Sequence, residues 1–114
     1  MKTNETRRTP AVDVFEATDA WTCVFDLPGC QKEDVDISVA DGRLTLEARP
    51  RKPDMPASAV VQRCEAPAAA FGRTITLDAE LDASKATARL DRGVLTLRIP
   101  KRAEAQEEKK IRIE

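Results

Sequence analysis

Residues 35–48 read Val35-Asp36-Ile37-Ser38-Val39-Ala40-Asp41-Gly42-Arg43-Leu44-Thr45-Leu46-Glu47-Ala48. Val35, Ile37 and Val39 alternate with Asp36 and Ser38. Leu44, Leu46 and Ala48 alternate with Thr45 and Glu47. Apolar residues at period two mark a strand with one buried face. Between the two runs sits Asp41-Gly42. An Asp-Gly pair suits a two-residue hairpin, because both central positions take a positive φ. The stretch is expected to fold as an antiparallel hairpin, and it sets the period for the rest of the chain.

The same period appears on both sides of it. Upstream, Val12 and Val14 share a face. Trp21, Cys23, Phe25 and Leu27 share the next, which stops at the turn signal Pro28-Gly29. Downstream, residues 50–58 (PRKPDMPAS) hold three prolines. Proline cannot donate to a ladder, so this is an exposed excursion and not a central strand. Val60 to Glu65 (VVQRCE) reads as a short strand beyond it. Ile75 and Leu77 alternate with Thr74 and Thr76. Gly93 opens a run in which Leu95, Leu97 and Ile99 share a face, closed by Pro100. Short strands separated by turn signals indicate an all-β sandwich or barrel. One segment stays open at this level. Residues 78–90 are rich in helix formers, and propensity favours a helix from about 80 to 90. The alternative is a strand at 85–90, where Ala86, Ala88 and Leu90 alternate with Thr87 and Arg89.

The chain has 114 residues, which suits one domain with a modest core. Aromatic residues are 4%, so Val, Leu, Ile and Ala must fill that core. Charged residues reach 34%, yet the formal net charge is -1. That balance gives no electrostatic case for nucleic acid or an anionic membrane surface. No apolar run approaches the length of a membrane span. The first twelve residues are polar and unlike a signal peptide. The cysteines are Cys23, Cys30 and Cys64. An odd count without paired spacing points to a reducing compartment, so a cytoplasmic location is expected.

The residues that usually carry catalysis are scarce. Histidine and tyrosine are absent, which removes the commonest general base. No Cys-x-x-Cys spacing favours zinc, and no glycine-rich loop cradles phosphate. Cys23 lies on an apolar strand face and reads as core filling. Cys30 and Cys64 look more exposed, but neither shows the base and positive surroundings a nucleophile needs. Neither an enzyme activity nor a cofactor is expected.

The chain resembles the small heat-shock proteins of the α-crystallin family, of the bacterial and plant type. The resemblance rests on Val12-Asp13-Val14-Phe15-Glu16, the Asp26-Leu27-Pro28-Gly29 turn, and Lys32-Glu33-Asp34-Val35 leading to Asp41-Gly42-Arg43-Leu44. It continues through Arg63-Cys64-Glu65, Phe71-Gly72-Arg73 and Gly93-Val94-Leu95-Thr96-Leu97 with Ile99-Pro100-Lys101. It ends at Ile111-Arg112-Ile113, similar to the family's Ile-x-Ile anchor. Each piece is weak, but their order and spacing are specific.

The resemblance implies an immunoglobulin-like antiparallel β-sandwich at 11–101, a short flexible arm at 1–10 and a C-terminal extension at 102–114. It implies the strand reading for 85–90. It also implies an ATP-independent chaperone that holds partly unfolded clients. Subunits would pair as a homodimer by strand exchange and assemble further. Val60, Val61 and Arg63 on the long loop would meet Val12 and Val14, and Arg73 matches the family's interface arginine. The bland alternatives are that Val60 and Val61 are core and Arg73 an ordinary surface ion pair. The Ile111 and Ile113 anchor would dock in a groove lined by Val35, Ile37, Ala86 and Ala88. The arm is shorter than is usual in the family and has no aromatic residue, which favours a dimer or small oligomer. A CS-domain-like co-chaperone or co-assembly partner is the competing class, though it would lack the long loop and the Ile-x-Ile tail.

Overall fold

The structure, a computed structural model, describes residues 7–65, 70–103 and 113. Among the described residues eight strands form: β1 (Arg7–Arg8), β2 (Val12–Glu16), β3 (Ala20–Asp26), β4 (Val35–Ala40), β5 (Arg43–Ala48), β6 (Ala70–Thr76), β7 (Thr87–Asp91) and β8 (Val94–Pro100). They make two four-stranded sheets, ordered β1-β6-β5-β4 and β2-β3-β8-β7. Every pairing is antiparallel except β1 with β6, which is parallel. The fold is the expected β-sandwich.

The β4–β5 hairpin forms as read. Asp41 has φ 53° and Gly42 φ 72°, the left-handed pair that a tight hairpin needs. The β7–β8 hairpin uses the same device at Arg92 (φ 52°) and Gly93 (φ 78°). A Cβ added at Gly93 would meet the Leu27 carbonyl oxygen and the Pro28 Cα, each at 3.4 Å. Leu27 N donates to the Gly93 oxygen at 2.7 Å. The turn after β3 and the turn before β8 therefore hold each other.

Alternation puts the apolar face of each strand inward. Cys23 and Phe25 of β3 and Leu95, Leu97 and Ile99 of β8 face Leu44, Leu46 and Ala48 of β5 and Phe71 of β6. Leu27, Cys30 and Leu81 close the ends of this layer. The inner strands of each sheet supply most of the core. Each fully buried side chain contributes about 1.5–3 kcal/mol.

Four expectations need correction or completion. Residues 80–90 are not a helix: a 3-10 turn at Ala83–Lys85 leads into β7. Pairing with β8 outweighs local helix propensity there. Asp82 caps the turn, accepting a hydrogen bond from Ser84 N at 3.1 Å. Residues 60–65 form no strand. Val60 and Val61 are each 76% exposed, so neither is core, and no described strand lies beside them. Cys30 is buried, because the turn after Pro28-Gly29 folds it onto the core, and burial raises its thiol pKa. Finally, Arg7 and Arg8, within the segment read as a flexible arm, form β1.

Two substitutions check this account. Gly93→Ala forces an L side chain into the left-handed region against fixed backbone. It is expected to cost about 1–2 kcal/mol in urea unfolding. Asp34 is held below its ordinary 3.8, first by the Gln31 backbone N–H at 2.8 Å and then by Arg51 at 3.2 Å. A lowered folded pKa means the unfolded chain takes up the proton first. The stabilisation is therefore full above about pH 4 and is lost as pH falls through the lowered value. Thermal unfolding of Asp34→Asn should lack that part of the acid-side decline.

Candidate functional site

β4 is the outer strand of one sheet and β7 the outer strand of the other. Each has a backbone edge without a strand partner among the described residues, the arrangement that accepts an added strand. Between them lies an apolar groove of about 330 Å³. Ile37 and Val39 of β4 form one wall, and Ala86 and Ala88 form the other. Leu44, Leu97 and Ile99, all buried, form the floor.

The sequence explains the shape. Alternation on β4 turns Ile37 and Val39 inward while Asp36 and Ser38 face water. On the other wall the side chains are small, Ala83, Ala86, Thr87 and Ala88, so the cleft stays open. The 3-10 turn capped by Asp82 sets Ala86 at the mouth, and Ala88 pairs with Leu97. Three of the four expected groove residues, Ile37, Ala86 and Ala88, line this space. Val35 does not: it opposes Ala48 at the start of β4 and packs on the core instead. Val39 takes its place, a residue visible in the same period-two run.

A larger depression of about 560 Å³ lies on the outer face of β7 and β8. Thr87, Arg89, Asp91, Arg92, Thr96 and Arg98 line it together with Ala88 and Val94, so charged and hydroxyl side chains ring its apolar groups.

The other expected site residues lie around β2. This strand pairs only with β3, and its outer edge is open among the described residues. Val14 and Phe15 are partly exposed there, at 45% and 59%. Arg73 reaches across from β6, and its Nη1 donates to the Pro10 carbonyl oxygen at 2.9 Å. It thus fixes the chain just before β2, a contact the sequence alone did not signal. At the other end of β2, Lys101 Nζ pairs with Glu16 at 2.9 Å, with the lysine side chain largely buried. Arg63 pairs with Glu65 at 3.2 Å on the surface. Within this single chain Val60, Val61 and Arg63 do not meet Val12 and Val14. Of the anchor, Ile113 is 93% exposed and Ile111 lies outside the described residues.

A family model described as the Hsp20/alpha crystallin family matches residues 13–114. The chain belongs to that family. Heat shock protein 16 of Schizosaccharomyces pombe is 33% identical over 106 residues, covering 91% of this chain and 74% of the relative. The spore protein SP21 of Stigmatella aurantiaca is 31% identical over 97 residues, covering 85% of this chain and 57% of the relative. The chain thus spans only part of these curated relatives. Among solved structures, Heat shock protein 16.0 from Schizosaccharomyces pombe superposes with a TM-score of 0.74 at 31% identity, covering 94% of this chain and 99% of that one. A small heat-shock protein from Xylella fastidiosa gives 0.74 at 28% identity, covering 96% and 97%. Family membership implies a chaperone role and not catalysis. Such proteins typically form oligomers and bind clients. No helix among the described residues is long and apolar enough to cross a membrane.

The Arg73 contact is testable on its own. Arg73→Ala removes a charged donor from a part-buried carbonyl and is expected to cost about 1–3 kcal/mol in urea unfolding. Hydrogen exchange should show faster loss of amide protection in Val12–Glu16 than in β8.

Proposed function

We propose that the protein is an ATP-independent holdase that binds partly unfolded polypeptides and limits their aggregation in the cytoplasm. The observation that carries this reading is the apolar groove between the unpaired edges of β4 and β7. An extended segment laid there gains main-chain bonds to an edge and places alternate side chains in the cleft. The Ile111-Arg112-Ile113 tail has the matching form, two isoleucines on one side of an extended strand. The tail of one subunit occupies the groove of another, and clients compete for the same apolar surface.

The energetics favour exchange over permanent closure. Burying two isoleucines yields about 3–6 kcal/mol. Fixing each tail residue costs about 1–2 kcal/mol. The balance is small, so the groove opens readily. Nothing in this cycle needs a nucleotide, in keeping with the lack of a phosphate-binding loop motif in the sequence.

The dimer forms by strand exchange. The long excursion carries Val60, Val61 and Arg63 away from their own sandwich, and β2 presents an open edge with Val12 and Val14. Adding the loop of one subunit to β2 of the other covers two exposed valines and one edge together. Arg73, by fixing Pro10, holds β2 in place to receive it. The same excursion and the open groove argue against the CS-domain-like alternative.

The decisive measurement is light scattering from a client unfolded by heat or reductant, at equal subunit ratio and without ATP. The protein should suppress the scattering, and Ala88→Trp, which fills the groove, should reduce that suppression at unchanged fold. Ile111→Ser with Ile113→Ser should lower the assembly mass in sedimentation towards a dimer. Unchanged scattering with folded protein would refute the holdase reading. Unchanged mass would refute tail docking alone.

A further inference from the structure

β6 pairs with β5 from Phe71 to Thr76, but its other edge is only partly covered among the described residues. Ala70 and Phe71 pair there with Arg7 and Arg8 of β1. No described strand lies beside Gly72 to Thr76 on that edge. A strand two residues long is the only described cover for one seven residues long.

Two contacts hold that cover. Arg7 Nη1 pairs with Glu47 Oε1 at 2.8 Å, and both side chains are more than half exposed. The Arg8 guanidinium lies over the Phe71 ring, 5.8 Å from its centre. Arg7 reaches Glu47 by crossing Gly72. A Cβ at that position would stand 3.3 Å from Nη1, so the missing side chain keeps the path open.

The charge arrangement shows what the edge recognises. Asp36 on β4 lies directly opposite Glu47 on β5, on the outer face of the sheet. Like charges in cross-strand register repel, so this pair requires a cation nearby. Asp36 and Glu47 line one small cavity of about 110 Å³ together with two cations, Arg7 and Arg49. Asp34, which also lines it, is already engaged by Arg51. Arg7 of β1 is the cation that pairs with Glu47. Exposed ion pairs and surface cation–π contacts are individually weak, and salt screens the former.

We propose that the outer edge of β6, with Asp36 and Glu47, is a docking site for an extended segment of another polypeptide that carries arginine or lysine. The chain's own Arg7–Arg8 is its displaceable occupant. An incoming segment adds main-chain bonds along the open Gly72–Thr76 edge and places a basic side chain where Arg7 now lies. β1 shows the geometry in cis: a strand on this edge with its cation over Gly72. Asp36 shares β4 with Ile37 and Val39 of the groove but faces the outer side of the sheet, while the groove opens on its inner side, so the site stands apart from the function proposed above.

The test uses the full chain and a labelled six-residue peptide alternating arginine with threonine, followed by fluorescence anisotropy. A twin peptide carries glutamate in place of arginine. Arg7→Ala removes the resident competitor and should tighten binding of the arginine peptide about three- to fivefold, the weight of an exposed ion pair. Glu47→Gln, placed in the Arg7→Ala background, should reverse that gain. Arg43→Ala changes the net charge equally at the far end of β5 and should leave binding unchanged. The glutamate peptide should gain nothing, and excess Ile-Arg-Ile peptide should not compete. Circular dichroism checks that each variant is folded, and Arg7→Lys, which retains the cation, should behave as the parent. The proposal is overturned by no measurable binding to any form. It is equally overturned by no gain on Arg7→Ala, by an equal gain for the glutamate peptide or Arg43→Ala, or by displacement with Ile-Arg-Ile.

Discussion

Packing two four-stranded sheets face to face buries their inner surfaces but leaves the outermost backbones without partners. Each unpaired edge presents a row of N–H and C=O groups, a ready template for another strand. That constraint organises the molecule. The inner strands β3, β8, β5 and β6 carry most of the buried side chains. The outer strands β2, β4 and β7 are short and largely exposed, with Val14, Phe15 and Val39 prominent among their open apolar groups. A barrel would have removed the edges by closing on itself. This sandwich keeps them and treats each differently: alanines beside β7, two arginines beside β6, and at β2 an edge for which the long excursion between β5 and β6 is the proposed cover.

Stability and openness are therefore assigned to different residues. The core rests on aliphatic side chains and only two buried aromatics, Phe25 and Phe71. Two left-handed hairpins, at Asp41-Gly42 and Arg92-Gly93, fix register in each sheet without help from the edges. Because a one-residue slip would turn every buried side chain outward, register is strongly specified at the centre. The edges then stay open without endangering the fold. Replacing Ala86 and Ala88 by larger residues would bury more area, but it would fill the space that the proposed binding needs. That is the familiar conflict between maximal packing and function.

The sandwich was legible wherever period two and turn chemistry coincided. The β4–β5 hairpin, the β3 run ending at Pro28-Gly29 and the β8 run from Val94 all followed from them. What was missed has physical causes. Arg92 carries no turn signal, so the second left-handed hairpin was only half visible through Gly93. β1 is two arginines, with no apolar period to detect, and exists through an ion pair to a residue forty positions away. Cys30 is buried by a turn and not by a periodic face. β7 was ambiguous because its residues favour a helix locally, and only pairing with β8 decides the matter. For residues 60–65 the composition suits a strand, but a strand also needs a neighbour, and one chain provides none. The groove came from the resemblance more than from the residues, and its β4 wall is shifted from Val35 to Val39.

The weakness of the edge contacts is itself informative. Arg7–Glu47 and Arg8–Phe71, and the tail docking proposed above, each stand near the point where attraction and ordering entropy balance. A single strong closure would give a more stable and more inert molecule. Several weak closures give edges that are covered most of the time, which limits uncontrolled pairing, yet yield to a segment that offers slightly more. Aggregating polypeptides expose apolar and basic residues together along extended backbone. In the function proposed above, a surface with an apolar cleft on the inner side of β4 and acidic groups on the outer face of the same sheet meets both kinds of segment without preferring any one sequence. The broad, exchangeable capture proposed above rests on leaving each interaction unfinished within the chain.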